Sequence, residues 1–148
     1  MDYVKPIEVV KAKVAAGDTK AGLSVKDLLI RGLLSGALLG FATSLAFTAA
    51  AQTGMPLVGA LVFPVGFVMI VLLGLELVTG SFAVVMLAGV NGRRQWPTVL
   101  ANLTWVYIGN LIGGHLFTGL FLYWTYKPVE HKTETVAPAA VTEGLAQA

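Results

Sequence analysis

The chain has 148 residues, of which 56% are hydrophobic and 12% are charged. Its formal net charge is +2 and it contains no cysteine, so disulfides and thiolate metal sites are excluded. This composition lies outside the range of soluble globular domains and indicates a membrane protein. No basic patch alternates with aromatic residues, so nucleic acid is not an expected partner.

Residues 1–24 are predicted to form a cytoplasmic segment on the membrane surface. Apolar residues recur at helical spacing from Tyr3 to Val14 with lysines between them, which is typical of a short amphipathic helix. A solvated tail fits this segment equally well. It has no apolar core of signal-peptide type, so no cleaved targeting segment is expected.

Residues 25–126 are predicted to form an all-α membrane domain with three spans. The first span covers about residues 28–53 and follows Ser24 and Asp27, which fit a capping box at a helix start. Glycine recurs at every fourth position of this span, which lets a second helix approach closely. Packing within the protomer is favoured over an oligomer interface. These glycines are Gly32, Gly36 and Gly40.

The second apolar stretch runs over residues 57–90, after a turn at Gly54 and Pro56. As one helix it would be about 50 Å long, whereas the hydrocarbon core of a bilayer is about 30 Å thick. We therefore expect a break near residues 74–81, where glycine, hydroxyl and carboxyl side chains cluster. Non-helical backbone survives at membrane depth only beside protein or a water-filled cavity, so the break indicates a solute pathway.

The third span is predicted over residues 98–123. A helix from Trp96 to Trp124 would rise about 42 Å, so the two tryptophans match the two interfaces of a bilayer. Residues 127–148 are expected to form a polar and alanine-rich extracytoplasmic tail. Basic residues are concentrated before the first span, which predicts a cytoplasmic N-terminus.

The expected break holds the residues with most bearing on function. Glu76 is the one acidic residue inside the apolar stretches, where a carboxylate is costly. Either it accepts hydrogen bonds from backbone donors that the break frees, which is favoured, or it contacts the solute. Thr79 and Ser81 either line a path or bond to nearby carbonyls. The path is favoured for Thr79 and the carbonyls for Ser81.

Two further sets of residues lie on shared helix faces. Phe63 and Phe67 can form a hydrophobic constriction, although contact with lipid or another helix is the commoner use of such a pair. In the third span, a polar and small stripe predicts close helix packing. This stripe consists of Asn102, Gly109 and Gly113.

His115 also lies within a predicted span. It is either a proton relay or, more commonly, a histidine bonded to a neighbouring helix. The sequence near it offers no second metal ligand. No nucleophile-base pair, phosphate-binding loop or pair of carboxylates is evident, so no metal, cofactor or enzymatic activity is predicted.

Several motifs occur in the order and spacing of one known family. They are Phe-Pro-Val-Gly-Phe from Phe63, Gly-Leu-Glu-Leu-Val-Thr-Gly-Ser from Gly74, Asn-Gly-Arg-Arg from Asn91, and Asn-Leu-Thr-Trp-Val-Tyr-Ile-Gly-Asn-Leu-Ile-Gly-Gly from Asn102. The segment Ala-Gly-Asp-Thr-Lys, which ends at Lys20, adds to them. Over most of residues 15–126, the chain resembles the N-terminal, three-span half of the formate/nitrite transporter family.

The resemblance implies a pentamer of aquaporin-like protomers in the inner membrane. Each protomer would have a channel-like pore for small monovalent anions such as formate, nitrite, acetate, lactate or hydrosulfide. By the same resemblance, Phe63 and Phe67 lie at the constriction, Thr79 supplies a hydroxyl on the loop that breaks the second span, and Glu76 anchors that loop. Lys20 matches a basic residue that draws anions to the cytoplasmic vestibule.

Members of that family resemble a six-span inverted repeat, whose second half supplies another broken helix and a central histidine. Neither His115 nor His131 has the sequence context of that histidine. The pore is therefore expected to be incomplete in this chain alone and to need a complementary half. The alternative hypothesis is a non-transporting membrane subunit or truncated fragment that only packs with partner helices.

Overall fold

The structure is a computed structural model that describes residues 3–126, with the backbone alone for residues 125 and 126. The tail predicted at residues 127–148 lies outside the described residues. Within the described range every regular element is a helix, and no strand is present. The helices are α1 Pro6–Ala21, α2 Val25–Thr53, α3 Pro56–Val62, α4 Pro64–Leu72, α5 Val78–Val90, α6 Trp96–Ile112, a π-helical segment Gly113–Gly119, and α7 Leu120–Tyr126.

Two stretches of this structure are long and apolar enough to cross a membrane. They are α2 and the helical run Trp96–Trp124, which comprises α6, the π segment and most of α7. Two shorter apolar helical stretches, Pro56–Leu72 and Val78–Val90, lie between them in sequence.

Local sequence explains where α2 starts and stops. The Ser24 hydroxyl accepts the Asp27 backbone N–H at 3.1 Å, which caps the first turn. The Asp27 carboxylate accepts the Ser24 hydroxyl at 2.6 Å, rather than a backbone N–H as in a full capping box. At the other end, Gly54 adopts φ +67°, a left-handed conformation that ends the helix, and Pro56 begins α3.

The second apolar stretch is interrupted twice. Helix α4 ends at Leu72 and α5 begins at Val78, so the break is shorter than the expected range of residues 74–81. A further discontinuity, which the sequence analysis did not predict, separates α3 from α4 at Phe63. There Pro64 has no N–H to donate to the preceding turn.

Helix α2 packs along α6 and the π segment, and small residues make this approach possible. A Cβ on Gly32 would lie 3.0 Å from the Val106 carbonyl oxygen, and one on Gly36 would collide with the Asn110 carbonyl. A Cβ on Gly40 would collide with the side chain of Thr118. The three glycines expected to pack a helix therefore face α6 and the π segment of the same chain.

A second packing centre joins α1 to α5 and α6. Its buried apolar residues are Ala21, Val85, Val99 and Leu103. Close approach of α1 to α5 requires Gly17, because a Cβ there would collide with the Val84 carbonyl. The break between α4 and α5 lies beside the last turn of α1, so the N-terminal helix and the break belong to one structural unit.

Candidate functional site

The break begins with a specific C-terminal cap on α4. The Leu75 N–H donates to the Ile70 carbonyl at 3.0 Å, and the Gly74 N–H donates to the Val71 carbonyl at 3.1 Å. Gly74 adopts φ +63°, and together these features form a Schellman motif. The chain therefore leaves α4 in a defined direction, because the Ile70 and Val71 carbonyls in the last turn of the helix are already paired.

Side chains of α2 and α6 hold the backbone that follows. The Glu76 carbonyl accepts the Asn110 amide at 2.9 Å and also the Ser35 hydroxyl. The Val78 N–H, the first of α5, donates to the side-chain amide oxygen of Asn110, Oδ1, at 2.8 Å. Arg31 donates to the Gly74 carbonyl at 3.3 Å. Side chains of α2 and α6 thus satisfy the Gly74 and Glu76 carbonyls and the first N–H of α5, while backbone bonds satisfy the start of the break.

Glu76 is buried, and the partner of its carboxylate is a cation of α1. Lys20 Nζ donates to Glu76 Oε1 at 2.7 Å, while Oε2 has no partner within the described part of the chain. The favoured expectation was that the Glu76 carboxylate accepts hydrogen bonds from backbone N–H groups. No such bond occurs among the described residues. The carboxylate still ties the break to another helix, but through an ion pair.

Thr79 lies in the first turn of α5 rather than in the loop, which corrects the placement inferred from the resemblance. Its side chain is exposed on the surface of this chain. The N–H groups of Thr79 and Gly80 have no hydrogen-bond acceptor among residues 3–126, as is normal at a helix start. Ser81 is buried, and its hydroxyl has no partner in this range, so the expected bond to a nearby carbonyl is absent.

Of the two phenylalanines predicted at a constriction, Phe63 lies at the discontinuity between α3 and α4, and Phe67 lies in α4. Phe63 lines an open apolar groove of about 490 Å³ between α2 and α3, together with Phe47 and Pro56. Phe67 is exposed and does not line this groove. Both rings therefore remain open to a neighbour that residues 3–126 do not supply.

The small and polar stripe of the third predicted span faces two helices. The Asn102 amide donates to the Lys20 carbonyl at 2.9 Å, which fixes the end of α1. A Cβ on Gly109 would lie 2.8 Å from the Leu29 carbonyl of α2, and one on Gly113 would collide with α2 backbone. The stripe thus lies against α1 at one end and α2 at the other.

His115 lies in the π segment and is exposed. No hydrogen bond of its side chain to another helix occurs among the described residues, so the favoured expectation for it is not met. The residues from Tyr3 to Trp124 likewise hold no cluster of three His, Asp or Glu side chains able to bind a metal ion.

Sequence reasoning missed three residues that the structure brings to the break. Ser35 and Asn110 contact the Glu76 carbonyl, and Arg31 contacts the Gly74 carbonyl. Asn110 has a usable signal, since an amide between Gly109 and Gly113 lies on the packed face of an apolar helix and needs partners there.

Comparison with known proteins identifies the family. The family model for formate/nitrite transporters matches residues 7–148. The chain belongs to the formate/nitrite transporter family. This membership confirms the resemblance noted in the sequence. The family is one of transporters rather than enzymes, and two helical runs of this chain are long and apolar enough to cross a membrane.

Three curated relatives illustrate the similarity. The chain is 34% identical to an uncharacterised transporter of Bacillus subtilis, YrhG, over 82% of this chain and 47% of the relative. It is 40% identical to the formate channel FocA of Haemophilus influenzae over 55% of this chain and 32% of that channel. It is 31% identical to the formate channel FocA of Escherichia coli K12 over 83% of this chain and 44% of that channel.

These matches span at most about half of each relative's length. No solved structure matches the chain.

Proposed function

We propose that this chain forms the first half of a pore for small monovalent anions of the formate or nitrite type. In this proposal α2, the broken run from α3 to α5, and the run from α6 to α7 are three spans of an inner-membrane protein with a cytoplasmic N-terminus. They correspond to one half of an aquaporin-like inverted repeat. Membership of the formate/nitrite transporter family supports the substrate class.

The observation that carries the proposal is the distribution of charge at the break, where a helix begins and the one carboxylate is paired with a lysine. At the start of α5, the N–H groups of Thr79 and Gly80 have no acceptor among residues 3–126, and they lie next to the exposed Thr79 side chain. A helix N-terminus carries partial positive charge, so this corner favours an anion. The nearby carboxylate of Glu76 does not oppose it, because Lys20 compensates its charge at 2.7 Å.

The two phenylalanines supply the apolar part of the proposed path. Phe63 and Phe67 are 37% and 45% exposed on this chain, and both lie before the break in sequence. Opposed by the complementary half, two such rings form a constriction that strips water from a passing anion. In this proposal Lys20 lies at the cytoplasmic vestibule, where its ammonium group pairs with Glu76 and so keeps that carboxylate from repelling an entering anion.

The proposed partners follow from the length of the relatives. The match covers 47% of the Bacillus subtilis transporter and 44% of the Escherichia coli formate channel, so about half of such a protein is left to supply the second wall. A complementary half is therefore part of the proposal, and the resemblance to the family adds a pentamer of the completed protomers.

Flux measurements in proteoliposomes test it. Formate and nitrite uptake is measured with the purified chain, and with the chain co-expressed and co-purified with the C-terminal half of the Escherichia coli formate channel. We expect no flux from the chain alone and saturable flux from the assembled pair. The Escherichia coli channel expressed as two separate halves is the control for assembly.

The same experiment distinguishes the transport proposal from the alternative function. If the control halves conduct and the mixed pair co-purifies but stays silent to every anion tested, the transport proposal fails. The chain is then better described as a non-transporting membrane subunit or fragment that only packs with partner helices.

A further inference from the structure

One side-chain amide, that of Asn110, contacts both ends of the turn that leads from the break into α5. Its Nδ2 lies 2.9 Å from the Glu76 carbonyl, and its Oδ1 accepts the Val78 N–H at 2.8 Å. The same nitrogen lies 2.8 Å from the Gly32 carbonyl and 2.8 Å from Ser35 Oγ, both on α2. Asn110 therefore connects three elements: α6, α2 and the break.

The backbone groups that Asn110 holds are those that flank Leu77, a buried residue at the end of the break. A backbone carbonyl or N–H left without a partner away from water is costly. The Schellman motif satisfies the break only as far as Leu75, so the last residues before α5 depend on side chains from other helices.

We propose that Asn110 is the positioning residue of the break, because its amide fixes the Leu77 segment and with it the direction of α5. Thr79 is one residue beyond Val78, whose N–H the amide holds, so the placement of its hydroxyl depends on the same bond. The proposed effect on anion flux rests on the proposed function. The structural role does not.

The geometry explains why an asparagine stands at this position. The side chain must donate to a carbonyl and accept from an N–H two residues further on. An amide does this with two separate atoms, a nitrogen and an oxygen, whereas an aliphatic side chain does neither. The close approach of α6 to α2 at Gly36 brings the amide within reach, since a Cβ on Gly36 would collide with the Asn110 backbone carbonyl. Ser35 adds a second contact to the Glu76 carbonyl.

Because the chain has no cysteine, a single introduced thiol reports local opening of the break. The reporter is Leu77→Cys in the full chain, labelled with N-ethylmaleimide in membrane vesicles. A second reporter, Val85→Cys, lies in the buried core between α1, α5 and α6, where Val85 is 0% exposed. The labelling rate of each reporter is compared with and without Asn110→Leu.

We expect Asn110→Leu to raise the labelling rate at position 77 roughly tenfold, because two buried backbone groups lose their partner. The rate at position 85 should stay unchanged, which separates loss of positioning from general unfolding. Ser35→Ala should raise the rate at position 77 by a smaller factor, since Asn110 still holds the Glu76 carbonyl. Thr104→Val is the matched control on α6, because the Thr104 hydroxyl bonds only to its own helix at Leu100.

Two results overturn the proposal. One is a labelling rate at position 77 that Asn110→Leu leaves unchanged. If that variant does not fold, an unchanged labelling rate at position 77 in Ser35→Ala has the same meaning. The other is an equal rise at both reporters, which indicates global destabilisation. Flux through the assembled pair is read separately: accelerated labelling at position 77 with a silent wild-type pair supports the role of Asn110 and counts against the transport function.

Discussion

Lys20 and Glu76 form an ion pair across 56 residues of sequence, with Lys20 Nζ 2.7 Å from Glu76 Oε1. The glutamate side chain is 2% exposed and the lysine side chain 30% exposed, so one partner is desolvated and the other remains partly in contact with solvent. The pair joins the last turn of α1 to the break. Asn102 strengthens the connection, because its amide holds the Lys20 backbone carbonyl.

Replacing Lys20 by methionine leaves the buried Glu76 carboxylate without its cation. Removal of one partner from a fully buried pair costs about 3–5 kcal/mol, and the partial exposure of Lys20 lowers this to about 2–3 kcal/mol. We expect Lys20→Met to lower the thermal stability of the purified protein in detergent. The double variant Lys20→Met/Glu76→Gln should recover most of the loss, because no buried charge then remains.

The ion pair of Asp18 and Arg94 is the matched control, because it also joins α1 to a distant part of the chain. Both side chains are about one-third exposed, so the pair is worth no more than about 1 kcal/mol. Arg94→Met should therefore cost clearly less than Lys20→Met. Equal losses from the two variants would show that burial of Glu76 does not govern the energetics.

The sequence predicted the existence of the break better than its boundaries. The length of the stretch at residues 57–90 and the carboxyl group of Glu76 were sufficient to expect an interruption. The helix nevertheless restarts at Val78, because Asn110 accepts the first N–H of α5 and lets Thr79 and Ser81 become helical. That acceptor lies 32 residues away in sequence, so local patterns do not reveal it.

The sequence likewise did not reveal which residues of different helices contact each other. The pattern of Gly32, Gly36 and Gly40 predicted a close helix contact but not the identity of the facing helix. Lys20 was assigned to a vestibule by resemblance, whereas its pairing with Glu76 depends on how α1 folds back beside the break. The π-helical turn around His115 has no simple sequence signature, because it depends on how the backbone packs against α2.

The variants Gly36→Ala and Gly114→Ala compare the stability cost of an added Cβ at two positions. Both positions lie where α2 packs against α6 and the π segment. A Cβ on Gly36 would collide with the Asn110 backbone, while one on Gly114 would lie 3.7 Å from the Gly36 carbonyl, an ordinary contact. We expect Gly36→Ala to destabilise the protein by at least about 2 kcal/mol, because backbone atoms must shift. Gly114→Ala should be close to neutral in the same thermal unfolding assay. A neutral Gly36→Ala would mean that α2 and α6 are farther apart than described.

The variants Gly74→Ala and Gly80→Ala distinguish the cost of backbone strain from the cost of a steric clash. Neither Cβ would meet another atom within 4 Å, but Gly74 has φ +63° and Gly80 lies in the first turn of α5. Gly74→Ala should cost about 1–2 kcal/mol, because the left-handed conformation is unfavourable for a residue with a Cβ. Gly80→Ala should be neutral or stabilising by up to about 1 kcal/mol. Unfolding temperatures of the two variants in detergent test this, and similar values for both would contradict a left-handed cap at Gly74.

The hydroxyl of Thr79 is the polar side-chain group that the proposed path offers to an anion at the start of α5. Its replacement in Thr79→Val keeps the shape of the side chain and removes one hydrogen bond to a charged solute, which is worth about 1.5–3 kcal/mol. Formate flux through the assembled pair should therefore fall roughly tenfold or more, while Thr79→Ser should retain most of it. Because Thr79 is exposed on this chain, its substitution should leave the unfolding temperature nearly unchanged.

The control is Thr104→Val, which removes a hydroxyl bonded only within α6 and should alter neither the flux nor the unfolding temperature. Flux that is the same in Thr79→Val and wild type would remove Thr79 from the path and leave the free N–H groups of α5 as the anion contact.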